Sequence, residues 1–156
     1  MNDPWIDPLD ESASGVTIQN LTDSAIPEIV RSLANVPATV LAAEGKGDPG
    51  AISIVLTSDH HLAQLHKEHL GDPSVTDLMT YPYETQDGSI SGDIVISLDR
   101  AAEQAIDQTW SLEDEVLFIA IHGMLHLCGW DDRDTEARTA MHKRQLEILR
   151  SLRSHD

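Results

Sequence analysis

His122-Gly-Met-Leu-His-Leu-Cys-Gly-Trp-Asp-Asp132 is the stretch from which the rest of the chain is best read. Residues four apart on a helix share a face, so the imidazoles of His122 and His126 can reach one metal ion. Gly129 can end that helix in a left-handed conformation, and the turn after it would carry Asp132 back toward the pair. Upstream, Ser111-Leu-Glu-Asp114 has the form of a capping box opening the same helix. The apolar run from Val116 to Ala120 predicts a helix that is central and largely buried. The frame is a buried helix with a polar end able to hold a metal.

Outward from it, Val16 to Gln19 reads as a short strand and Ala25 to Glu44 as helix, with Pro27 in its first turn and a break at Pro37. Gly45 to Gly50 is a turn, after which the β-branched Ala51 to Thr57 is strand-like, and Ser58 caps a helix ending near Gly71. Thr76 to Tyr81 and Ser91 to Ser97 are two further strands, placed to pair across a loop holding Pro82 and Asp87-Gly88. Asp99 can cap a helix through Asp107. Asp134 to Leu152 closes the chain as an amphipathic helix with Ala137, Met141, Leu146 and Leu149 inward. Residues 1–14 are polar and acidic with two prolines, a flexible tail before one domain over 15–156.

A chain of 156 residues fits a single domain with its own core. Cys128 is the sole cysteine, which excludes an internal disulfide, and the first residues have neither a basic nor an apolar leader region. Cytoplasmic residence is expected. No run approaches eighteen apolar residues, so a membrane-spanning helix is not expected. The net charge of -17 argues against a generic nucleic-acid binder, because Lys and Arg supply most non-specific affinity. Six of the ten basic residues, however, fall from Arg133 onward. They form either the solvated side of an amphipathic helix or a local basic face.

With eight histidines in the chain, chance alone gives roughly 0.4 pairs at this spacing, so context must carry the metal reading. A buried helix with two imidazoles on one face must satisfy both rings, either as hydrogen-bonded core histidines or as ligands. His122, His126, Gly129 and Asp132 also fall at the offsets of metzincin zinc sites. Metzincins place a glutamate base after the first histidine, where this chain has Gly123, so peptide hydrolysis lacks its base. A phosphodiester, which brings its own charge, needs that base less.

The same residues resemble the YbeY family of metal-dependent single-strand endoribonucleases that mature ribosomal RNA. Its signature, His-Gly-x-Leu-His-Leu-x-Gly-Tyr-Asp-His, is matched by His122, Gly123, Leu125, His126, Leu127, Gly129 and Asp131, with Trp130 for the tyrosine and Asp132 for the last histidine. Leu65-His-Lys-Glu-His-Leu-Gly71 is similar to the segment carrying the family's arginine. Thr76-Asp-Leu-Met-Thr-Tyr-Pro82 resembles its Thr-Asp-Val-Leu-Ser-Phe-Pro, and Gly92-Asp-Ile-Val-Ile-Ser97 its Gly-Asp-Ile strand. The resemblance implies a single compact α+β domain: a mixed sheet of about four strands packed with about five helices, the metal site on the central helix and the following turn. It implies one zinc ion, a single-stranded ribosomal RNA substrate, work on the 16S 3′ end with the small ribosomal subunit and its assembly factors, cytoplasmic residence, and neither DNA nor membrane as a partner.

Two departures bear on chemistry. Asp132 in place of the third histidine lowers the charge of a zinc site from +2 to +1, weakening both the acidity of bound water and the pull on phosphate. Harder oxygen ligation also brings manganese and magnesium closer to contention, although two imidazoles favour zinc. Asp131 and Asp134 are rival oxygen donors. Lys67 stands where the family has arginine, keeping the charge without the bidentate fork. His66 and His69 beside it are expected at the surface, and Asp77 can cap a turn or orient a site residue. Cys128 is expected as a small apolar filler and Trp130 in the tyrosine's packing slot. The resulting expectation is a zinc-dependent endoribonuclease in which His122, His126 and Asp132 hold the ion and Lys67 steadies the scissile phosphate. The alternatives are a ribosome-assembly factor keeping fold and metal with weakened catalysis, and a metal-dependent hydrolase of another substrate.

Overall fold

The Ile52-Ser-Ile-Val-Leu-Thr57 and Ser91-to-Ser97 segments each hold an unbroken apolar run, Ile54–Leu56 and Ile94–Ile96, rather than strict alternation, the pattern of strands covered on both faces. In the computed structural model, which describes residues 15–70 and 77–154, they are neighbours in the middle of a four-stranded sheet. The elements run β1 (Val16–Asn20), α1 (Pro27–Leu33), α2 (Val36–Ala43), β2 (Ile52–Thr57), α3 (Asp59–Leu70), β3 (Leu78–Tyr83), β4 (Ser91–Ser97), α4 (Leu98–Gln108), α5 (Leu112–Leu127) and α6 (Thr135–Ser154). Sheet order is β1-β2-β4-β3, with β1, β2 and β4 parallel and β3 antiparallel to β4. This is the expected α+β domain with a mixed sheet. The tail expected at 1–14, Thr76, the helix end near Gly71 and the side chains of His66 and His69 lie outside the described residues.

Register sorts the side chains into two layers. Ile54 pairs with Ile94 and Leu56 with Ile96, and these face the main core, where Val116, Ile119, Ala120 and Met124 of α5 meet Leu33 and Val40 from α1 and α2. Val55 pairs with Val95 on the other face, which is covered by Leu62 and Leu65 of α3 together with Met79. So α5 and α3 lie on opposite faces of the sheet. No described helix is long and apolar enough to cross a membrane.

Three local expectations are corrected. The helix over Ala25 to Glu44 breaks at Ala34 and Asn35 rather than at Pro37; Pro37 sits in the first turn of α2, where its missing N–H is not needed. Counting the two pieces separately gives six helices among the described residues, against about five expected. Ser97, not Asp99, caps α4: its hydroxyl accepts from the Arg100 amide at 3.1 Å, while Asp99 accepts from the Asp59 amide at 2.9 Å. The third strand runs on through Pro82 to Tyr83, because β3 is an edge strand on which proline interrupts no ladder.

Gly92 joins the sheet to α5. A Cβ there would lie 2.6 Å from the Tyr81 carbonyl oxygen, 3.0 Å from Leu127 Cδ2 and 3.2 Å from Pro82 Cα. Gly92→Ala must therefore push β3 off β4 and should cost about 1–3 kcal/mol, a fall in Tm of about 2–4 °C per kcal/mol at this size. Gly47→Ala, with nothing within 4 Å, should melt like the parent in the same scan.

Candidate metal centre

The end of α5 is a Schellman turn. Cys128 is the C-cap, Gly129 has φ +104°, its amide donates to the His126 carbonyl, and the Trp130 amide reaches back to the Leu125 carbonyl, each at 3.0 Å. This places the Trp130 carbonyl 3.0 Å from His126 Nδ1. The indole of Trp130 is itself tied down: its Nε1 donates to Glu44 Oε1 at 2.5 Å, and Glu44 Oε2 accepts from Arg144 Nε at 2.8 Å. One carboxylate beyond α2 thus locks the turn to α6.

His122 is oriented from α6. Its Nδ1 lies 3.0 Å from Gln145 Oε1, and the Gln145 amide nitrogen donates to the Phe118 carbonyl at 3.2 Å. Gln145 is 3% exposed, so its amide has no water to fall back on. A carbonyl facing each Nδ1 requires the proton there, for His126 as for His122, and assigns the lone pair to Nε2 on both rings. Those two Nε2 atoms are 2.9 Å apart, and Asp132 Oδ2 is 3.3 Å and 3.5 Å from them. With both lone pairs on Nε2, the two imidazoles and the carboxylate aim electron pairs at one spot, an arrangement that a cation draws together. Ligands ~2.1 Å from a tetrahedral ion stand ~3.4 Å apart, close to these separations. The residues fit a metal ion, and the cluster can hold one.

Asp132 is the carboxylate brought to the histidines; Asp131 accepts from the Arg133 amide at 3.0 Å and Asp134 caps α6 by accepting from the Ala137 amide at 2.7 Å. Cys128 packs against the core outside the cluster, and burial, with the charge of Glu44 adding to it, pushes its thiol up, away from thiolate chemistry. Trp130 fills a packing slot at the core's edge. Lys67 is exposed on α3, the helix of the opposite sheet face, and does not line the cleft beside the cluster.

That cleft, about 320 Å³, runs along α5 between α4 and α6. Asp77, Gln108, Glu115, Arg138 and His142 line it along with His122 and Asp132. Asp77 therefore faces the site, and its carbonyl also accepts from the Ser97 amide at 2.9 Å. Glu115, 1% exposed, accepts from Gln108 Nε2 at 2.9 Å. Burial, and secondarily the negative charge of Asp77, push its carboxyl up. A carboxyl raised in the folded state binds its proton more tightly there than in the unfolded chain, so stability falls as pH rises from the ordinary glutamate range through the raised value. Glu115→Gln should remove that fall. Its Tm should overtake the parent's toward pH ~8, by about 2–4 °C for each kcal/mol recovered, and parallel melting curves from pH ~4 to ~8 would refute the assignment.

Gln145, Glu44 and Glu115 escaped the sequence reading. Gln145 carried a signal, a polar residue four after Met141 and three before Ile148 on the buried stripe of α6. Glu115 heads the apolar run of α5. Glu44 carried none, since its partners lie 86 and 100 residues away.

Fold and cluster together define an α+β domain whose buried central helix ends in a candidate metal site. The chain belongs to the YbeY family: the family model described as Endoribonuclease YbeY matches residues 16–153. Endoribonuclease YbeY of Carboxydothermus hydrogenoformans is 33% identical over 138 residues, covering 86% of this chain and 95% of the relative. That of Thermus thermophilus is 38% identical over 128 residues, covering 80% and 88%. The solution structure of a Thermotoga maritima protein superposes with a TM-score of 0.60 over 90% of this chain and 95% of its own, at 23% identity, and shares the fold.

Proposed function

We propose that the protein is a zinc-dependent, single-strand-specific endoribonuclease of ribosomal RNA maturation. In this reading it acts at the 16S 3′ end, in the cytoplasm, with the small ribosomal subunit and its assembly factors. The observation that carries the proposal is the convergence of His122 Nε2, His126 Nε2 and Asp132 Oδ2 with both tautomers fixed, in a chain of this family. Two imidazoles and a carboxylate match the donor set of catalytic zinc. When bound, the ion supplies Lewis acidity and a lowered pKa for water. The chain's own residues do the rest: Gln145 and the Trp130 carbonyl hold the Nδ1 protons, and the walls from α4 and α6 confine the strand beside the cluster. Lys67 would meet the RNA backbone from α3, outside the cleft.

Asp132 favours one second reading. A carboxylate leaves the site less positive than a third imidazole would, which suits an assembly factor with weakened cleavage. Elemental analysis of the purified protein, with cleavage of single- and double-stranded RNA by the parent and by Asp132→His, separates the readings. The enzyme reading expects near-stoichiometric zinc, cutting confined to single strands, and loss of cutting on chelation. Stoichiometric metal with no cleavage by either protein would overturn it.

A further inference from the structure

Among the described residues lining the cleft beside the cluster there is one cation of fixed charge, Arg138, and this residue belongs to none of the motifs that mark the family resemblance. It sits in the first turns of α6, exposed, with its guanidinium turned back over the metal turn: Nη1 is 3.3 Å from the Asp132 carbonyl oxygen and 3.4 Å from that of Arg133, and Nη2 donates to Thr135 Oγ1 at 3.2 Å. No carboxylate pairs with it among the described residues, whereas Arg100, Arg144 and Arg153 are each held in ion pairs. Among the described residues its Nε–H has no partner, and its longer contacts to carbonyls fix where the group stands without neutralising it.

A divalent ion brings two positive charges, which the carboxylates of Asp132 and Asp77 cancel. Burial, with the charge of Asp77 adding to it, pushes the Glu115 carboxyl up. Among the described residues lining the cleft, Arg138 is the fixed positive charge set against these carboxylates, in a protein whose overall balance is -17 and would otherwise repel a polyanion. We propose that Arg138 is the phosphate-binding residue of this site: its guanidinium holds a backbone phosphate of single-stranded RNA beside the cluster, restoring the positive charge that Asp132 removes. The inference rests on the RNA reading above. It moves the principal phosphate contact from Lys67, on the far sheet face, to the wall of the cleft itself.

Binding of a fluorescent single-stranded RNA oligonucleotide tests it, measured against salt with metal content and oligonucleotide integrity determined on each sample. Arg138→Gln can still donate to the turn's carbonyls but has no charge, so it should keep its metal while losing roughly 10-fold or more in affinity. Its slope of log K against log salt should shrink by about 0.7, the share of one phosphate on a single strand. Arg138→Lys should recover the slope and only part of the affinity, and Arg150→Ala, exposed and outside the cleft, should lose less than Arg138→Gln. Parent-like affinity and slope in Arg138→Gln would overturn the inference while leaving the RNA reading intact. So would the same losses appearing in Lys67→Ala instead. A parent protein that binds no single-stranded RNA would overturn both.

Discussion

Asp132→Ala should lower Tm by roughly 5–10 °C in buffer containing zinc, and in chelator it should melt at or above the parent. The first half follows from linkage. A metal that binds only the folded chain contributes about 2.7 kcal/mol at a hundredfold excess over Kd, and a protein of this size loses about 2–4 °C per kcal/mol. Asp132 is one of three donors, so its removal should weaken binding by more than the ~10–100-fold seen for groups that only support a ligand.

The second half follows from the convergence of donors. Without a cation, the Asp132 carboxylate faces two imidazole lone pairs at 3.3 Å and 3.5 Å, and removing it relieves the repulsion. A reversal of the Tm order between zinc and chelator, in paired calorimetric scans, is the signature of a ligand. A variant that melts below the parent by the same margin in both buffers would mark Asp132 as an ordinary structural contact. Asp132→Asn separates charge from shape: it keeps an oxygen of the same reach without the negative charge, and should fall between the two.

What the sequence made legible was whatever depends on neighbours along the chain. The face shared by His122 and His126, the αL glycine at 129 and the Ser111 cap are local geometry, and each stands where the spacing placed it. The return of Asp132 is the continuation of that turn. Harder to see was which sheet face a helix covers. The apolar side of α3 predicts that it packs on the sheet, but its side is fixed by how the chain crosses between parallel strands, and so Lys67 was expected near a site from which the sheet separates its helix. Supporting groups were also hidden. Gln145 reaches His122 across 23 residues and Glu44 reaches Trp130 across 86, and no periodicity links such positions. Helix boundaries failed where a stronger local choice existed, as when Ser97 took the cap that Asp99 could have filled and freed Asp99 to bind the start of α3.

Gln145 carries the second large effect. Gln145→Leu keeps the volume of a fully packed position but removes the acceptor from His122 Nδ1, so the ring is free to place its proton on Nε2, where the lone pair is needed. Metal affinity should fall about 10–100-fold, the usual penalty for losing the group that orients a ligand. A buried imidazole N–H left without a partner should cost a further 1–3 kcal/mol or so in the metal-free protein, offset in part by the apolar side chain. Gln145→Glu makes the opposite trade. Its carboxylate still accepts from His122 Nδ1, more strongly than an amide, but it turns an oxygen toward the Phe118 carbonyl where Nε2 had donated at 3.2 Å. Metal affinity should therefore survive in Gln145→Glu while stability falls, whereas Gln145→Leu should lose affinity foremost. Competition titration with a chromogenic chelator and urea melts on both variants read the two quantities separately. Equal affinities in Gln145→Leu and the parent would mean that His122 is oriented by its place on α5 alone.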